Sequence, residues 1–222
     1  MAFRIGVKFD ATGWEPKGLH ENVLVWHNTL GDGLGLYYFQ RVPDLPAPLE
    51  DAQRLLELWP SDSATGVISR TVVEVDDVLG VKAITKRRQT SGDLMYIGSW
   101  IIPRDRFSFV IKIQCSELGM TGLREALVAE KALQDGSVTL GENGDMTGWF
   151  LDGNASVAAS GMPPNIAEDE ALDAEFPDHP LSRVRRHMRT LEPSIRVEDF
   201  VKRAAPFSGP RVKNGFWKRL LG

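Results

Sequence analysis

Cysteine is almost absent. The 222-residue chain holds one, Cys115, which excludes an internal disulfide and fits a reducing compartment, so a cytoplasmic location is expected. Long apolar runs are missing as well. No stretch approaches the roughly 20 apolar residues of a spanning helix. Residues 1–9 alternate, with Lys8 interrupting, where a secretory leader would be continuously apolar, so no leader is expected there. Histidine is scarce: His20, His27, His179 and His187 show no i, i+4 or His-Cys spacing of a metal site, and no metal centre is expected. There is no Gly-x-Ser-x-Gly elbow and no Walker-type loop, so neither a cofactor nor a catalytic nucleophile is expected. Cys115 ends a strand with no basic partner placed beside it by sequence. It reads as a half-buried structural thiol.

Positive charge is lacking from most of the chain and crowded at its end. Residues 1–178 hold 15 Lys and Arg against 27 Asp and Glu, whereas residues 179–222 hold 11 against 3. A basic end on an acidic body either folds back onto that body or reaches for an acidic surface elsewhere.

The apolar pattern reads mostly as strands. Phe3, Ile5, Val7 and Phe9 alternate over residues 2–9, residues 10–20 read as loop, and residues 22–28 form a second strand. Gly31-Asp32-Gly33 precedes the aromatic run Tyr37-Tyr38-Phe39. Because no helix starts there, it reads as a hairpin turn and not as a phosphate loop. Pro43, Pro46 and Pro48 lead into a short helix with Leu49, Ala52, Leu55, Leu56 and Trp59 on one face. Strands follow at 68–75, 80–87, 94–102 and 106–115, with turns at Asp76-Asp77-Val78-Leu79-Gly80 and Pro103-Arg104-Asp105. A helix over 121–133 is expected, capped by Thr121, with Leu123, Ala126, Leu127, Glu130 and Leu133 facing the sheet. Residues 1–135 thus read as an antiparallel sheet with helices packed on it, an α+β domain.

Glycine and proline punctuate residues 136–178, an irregular excursion with Trp149-Phe150-Leu151 as its buried point and an acidic cluster over 168–175. That cluster lacks the alternating Asp spacing of a calcium loop. Residues 179–204 form the C-terminal packed segment. Asp178 is expected to cap a helix over 180–192 that buries Leu181, Val184, Met188 and Leu191. Its arginines Arg183, Arg185, Arg186 and Arg189 would face solvent or clamp the 168–178 acids. Residues 205–222 read as a flexible tail with the apolar anchors Phe207, Phe216 and Trp217, ending in Phe216-Trp217-Lys218-Arg219-Leu220-Leu221.

The order of these elements resembles the PsbP-like fold. Trp14, Gly80, the Tyr96–Ile102 strand and the Phe107–Ile113 strand carry the resemblance, which covers roughly residues 2–133. It implies an α/β/α sandwich. It also implies a binding protein, since the fold's members include a photosystem extrinsic protein, a Ran-binding import factor and DcrB-type bacterial proteins with type VI effector chaperones among them. The expected function is a non-catalytic cytoplasmic module that binds another protein: a bacterial adaptor, effector chaperone or toxin-neutralising protein. Arg183, Arg186, Arg189, Phe216, Trp217, Lys218, Arg219 and Leu220 are the candidate contacts. The tail is too short for stable membrane anchoring. Two alternatives remain open: a small-ligand or enzyme site near 136–178, and nucleic-acid binding through the basic end. The second is disfavoured by the acidic whole and the lack of interleaved aromatics.

Overall fold

The computed structural model describes residues 5–41, 43–59, 64–151 and 162–210. In chain order the elements are β1 (Val7–Lys8), β2 (Glu15–His20), β3 (Val23–His27), β4 (Gly33–Phe39), α1 (Ala52–Glu57), β5 (Thr65–Val75), β6 (Val78–Arg88), β7 (Leu94–Pro103), β8 (Ser108–Ser116), α2 (Leu123–Asp135), β9 (Thr139–Leu140), β10 (Met146–Thr147), α3 (Pro180–Leu191), β11 (Arg196–Val197) and α4 (Asp199–Lys202). Seven strands make one antiparallel sheet in the order β2-β3-β4-β8-β7-β6-β5. Two meanders, β2–β4 and β5–β8, meet where β4 pairs with β8. The fold is α+β, as the strand periodicity predicts.

The turn after β5 is tighter than the Asp76–Gly80 turn expected, because Val78 and Leu79 already pair with Val75 and Glu74. Asp76 and Asp77 both take positive φ, 47° and 66°, the backbone that a two-residue hairpin between twisted strands requires. Residues 10–20 differ from the loop reading. Glu15–His20 pairs with β3 as an edge strand, with a register shift between Pro16 and Gly18 that Gly18 accommodates at φ 120°. The first strand is shorter than the alternation predicts, and among the described residues it pairs with β11 and lies outside the large sheet.

Alternation along β7 and β8 divides the core. On one face Tyr96, Trp100, Ile111, Ile113 and Cys115 meet Leu181, Val184, Met188 and Leu191 of α3, as the sequence stripe predicts. A Cβ at Gly98 would sit 2.4 Å from Met188 Sδ and 2.8 Å from Val184 Cγ1, so the missing side chain sets how closely α3 approaches the sheet. On the other face Val81, Ile101 and Val110 pack beneath Leu45, Leu49, Leu55 and Trp59. Phe207 belongs to this second core, which corrects the placement of residues 205–210 in a flexible tail. Phe207 buries a whole ring there, the Asp105 N–H donates to Ala205 O, and Arg104 bridges to Pro206. The contacts Phe216, Trp217, Lys218, Arg219 and Leu220 lie outside the described residues.

Helix α2 departs most from expectation. Gly122, with φ 71°, stands at its N-cap in place of Thr121. Leu123, Ala126, Leu127, Glu130 and Leu133 are all exposed, while Arg124 and Ala132 are buried. The helix packs its Arg124, Val128 and Ala132 side on Val138, Trp149 and Ala167 of the excursion. Trp149 is buried as expected, but Leu151 is 62% exposed. The excursion also carries the β9–β10 hairpin and two short 3-10 turns.

The two sides of α3 have different costs when changed. Met188→Asp is expected to destabilise by a few kcal/mol, because it places an unpaired charge against the sheet. Arg186→Ala, on the exposed side, is expected to cost less than about 1 kcal/mol. Urea midpoints of the two variants check this, and equal losses would mean the helix faces are assigned wrongly.

Candidate functional site

Three polar clusters lie between α3 and the rest of the molecule. The first joins the β3–β4 turn to the helix. Arg183, 0% exposed, places Nη2 2.9 Å from Asp32 Oδ1 and also donates to the carbonyls of Ser116 and Asp178. Asn28 Nδ2 donates to Asp32 Oδ2 at 3.0 Å, and His187 Nε2 lies 3.0 Å from the same oxygen. The Trp14 ring meets His187 edge-on at 4.9 Å. Burial works to raise the Asp32 carboxyl, but the hydrogen bonds from His187, Arg183 and Asn28 and the Arg183 charge hold it well below the usual range. The expectation for Arg183 is thereby corrected: its carboxylate partner is Asp32, it touches the 168–178 segment only at the Asp178 backbone carbonyl, and its guanidinium is consumed inside the fold.

The second cluster binds the excursion down. Arg124, 1% exposed, donates to Ala167 O, Asp169 O, Asp173 Oδ1 and Ser182 Oγ, and lies over the Phe176 ring. Arg185 reaches the same Asp173 oxygen and Glu168 O, and the exposed Arg189 pairs with Glu170 at 2.6 Å. The clamp expected between these arginines and the acids therefore holds for Arg185 and Arg189, while Arg186 donates to Pro177 O. Lys86 Nζ, beside Pro163 O, pairs with the buried Glu168; burial pushes that carboxyl up, against the pull of Lys86.

The third cluster borders a cleft of about 250 Å³ between the start of α2 and the turn entering α3. Leu118, Met120, Leu123, Phe176 and Pro177 supply its apolar wall, and Glu117, Glu175 and Asp178 its acids. His179 lies in the lining and, in place of Asp178, caps α3 through Nδ1, which accepts from Leu181 N. That bond leaves the ring proton on Nε2, 3.5 Å from Glu125 Oε1, to which the Tyr96 hydroxyl also donates. Burial works to raise the Glu125 carboxyl, but His179 and Tyr96 outweigh it and hold it below its usual range. Around the cleft Leu118, Met120, Leu123 and Leu127 are 52%, 75%, 45% and 45% exposed, an apolar patch continuous with the outer stripe of α2.

Two of these clusters gather metal-ligand types that are far apart in sequence, Asp32/Cys115/His187 and Glu117/Glu125/His179. Their hydrogen bonding does not suit a cation. Arg183 already neutralises Asp32, and burial and then the Asp32 charge push the Cys115 thiol up, away from the thiolate that binds metals. Glu117 uses one oxygen for Gly122 N and the other for Leu94 N, and His179 presents a donor where a ligand needs a lone pair.

No family model matches the chain, and no curated protein matches it. A solved structure from Bacteroides thetaiotaomicron VPI-5482 is similar at 15% identity and TM-score 0.33, over 51% of this chain and 40% of that chain. The match thus spans well under half of that protein, and a likeness at this score carries no argument.

The Asp32–Arg183 pair sets an acid limit. Asp32 has a depressed value in the folded state against an ordinary 3.8, so the stability it contributes is complete above that value and lost as pH falls below about 4. Unfolding free energies between pH 5 and pH 2 are expected to fall less in Asp32→Asn than in the wild type. At neutral pH Arg183→Met is expected to cost about 3–5 kcal/mol, since it strands a buried carboxylate. A loss near that of Arg186→Ala would contradict this account of the pair.

Proposed function

We propose that the chain is a protein-binding module whose docking surface is the cleft and outer stripe of α2. The observation that carries this reading is the exposure of Leu118, Met120, Leu123 and Leu127 together, beside a concave site rimmed by Glu117, Glu175 and Asp178. Helices normally turn such leucines inward. Here Arg124 occupies the inward side because carbonyls and Asp173 satisfy its guanidinium. An apolar patch next to a groove marks an interaction site. The partner chemistry that fits is a short apolar segment, aromatic or aliphatic, flanked by basic residues. An adaptor, effector chaperone or toxin-neutralising role in a bacterial cytoplasm accords with such a module, as does membership of the PsbP-like group of binding folds.

The nucleic-acid reading loses its basis in four free arginines, because Arg183 and Arg185 are buried and engaged. A small-ligand site has one observation in its favour: Glu125 Oε2 is buried without a hydrogen-bond partner among the described residues.

Photo-crosslinking from position 127 in host cells tests the protein-binding reading. A discrete crosslinked partner is expected, lost in Leu123→Asp, while the melting temperature of Leu123→Asp stays close to the wild type because that side chain is already 45% exposed. Crosslinks unchanged by Leu123→Asp would overturn the reading. A small metabolite that raises the melting temperature of the wild type but not of His179→Ala would favour the ligand site in its place.

A further inference from the structure

We infer that the segment seated in this cleft is residues 215–221 of a second copy of the chain. This rests on the docking reading above and names its occupant.

Chemistry gives the first argument. Residues 211–222 hold Arg211, Lys213, Lys218 and Arg219 and no acidic residue, with Phe216, Trp217, Leu220 and Leu221 interleaved. The cleft offers the complement, an apolar wall with three carboxylates around it, the one arginine of its lining, Arg124, being buried and paired with Asp173. Two rings and two leucines fill apolar space, and the adjoining Lys218 and Arg219 meet the acids, a pairing that sets orientation more than affinity.

Reach gives the second argument, and it selects another copy over the chain's own end. The described chain finishes at Pro210. Phe207 is in the core on the sheet face opposite α3, and a Cβ at the neighbouring Gly209 would touch the Pro48 ring at 3.4 Å. Pro206 bridges Arg104, in the turn that precedes β8. The cleft starts at Glu117, just past the far end of that strand and on the α3 side. Ser108 to Ser116 alone spans about 26 Å at the rise of a strand. A path must also cross from one face of the sheet to the other. Six residues from Pro210 to Phe216 extend at most about 22 Å and seven to Trp217 about 25 Å, so even a fully stretched end carries its own two rings no further than that strand, and only its last leucines have the length to reach its own cleft. The end of a second molecule has no such limit. Exchange in both directions joins two identical tail–cleft contacts in a closed twofold dimer, each raising the effective concentration of the other.

Sedimentation velocity of the full chain, with a labelled synthetic peptide of residues 211–222, tests the inference. The wild type is expected to sediment at twice its 24.6 kDa mass at tens of micromolar, and Trp217→Ser and Leu123→Asp each as monomers. The peptide is expected to bind Trp217→Ser, whose clefts are intact and vacated, and to bind Leu123→Asp at least about tenfold more weakly. Leu127→Asp repeats the cleft lesion should Leu123→Asp lose its circular-dichroism signature. Higher salt is expected to weaken the peptide. A wild type that stays monomeric, a dimer that survives Trp217→Ser, or a Trp217→Ser variant that lowers the melting temperature of a monomer would each overturn the inference. Should it fail while the position-127 crosslink to another protein persists, the docking surface stands and only its occupant changes.

Discussion

The buried pair between Arg183 and Asp32 holds the molecule's layers in register. Asp32 sits in the turn between β3 and β4, Arg183 on a helix 151 residues later, and the same guanidinium reaches Ser116 O at the end of β8. One side chain thus ties both meanders to α3. Desolvating two charges is costly, and such a pair adds less net stability than its short contacts imply. What it does add is position: an arginine with neither carboxylate nor carbonyl partners has no acceptable place in that core, so other seatings of the helix are penalised. Gly98 complements this by letting Met188 and Val184 close onto the sheet.

The seating of α3 places everything at its N-terminal end. Once Arg183 is locked, His179 stands over Tyr96 and Glu125, Ser182 meets Arg124, and Arg185 meets Asp173. Arg124 then draws α2 and the excursion together with its apolar stripe turned outward. The exposed leucines are therefore a consequence of buried arginines. The sheet supplies the platform, the arginine clamps aim α2, and the outward stripe with its acidic cleft is the surface we propose for binding.

Local signals in the sequence carried the sheet well. The alternation of Phe107–Ile113, a turn starting at Asp76-Asp77 and the stripe of Leu181, Val184, Met188 and Leu191 each report a period or a backbone requirement that neighbours alone decide. The cleft was not legible in the same way. A helical stripe such as Leu123, Ala126 and Leu127 says which residues share a face but not which way that face points. The competing face of α2 wins because Arg124 finds its acceptors in residues 167–182, more than forty positions away. Asp32 likewise reads as a turn residue until Arg183 is brought to it. Phe207 reads as tail because its pocket, formed by Leu45, Leu49 and Trp59, is distant in sequence. The charge asymmetry between the two ends was the one sequence signal that bore on the site. Part of it resolves into the Arg185–Asp173 and Arg189–Glu170 pairs.

Hydrogen–deuterium exchange on the full chain, compared between dilute and concentrated protein, tests the central claim that the α2 cleft docks a second copy of the chain. Protection that grows with concentration in peptides covering residues 117–127 and 175–180, and stays flat along the β5 edge, is the predicted result. Exchange in those peptides that is unchanged by concentration, or protection confined to the β2 or β5 edge strands, would contradict it.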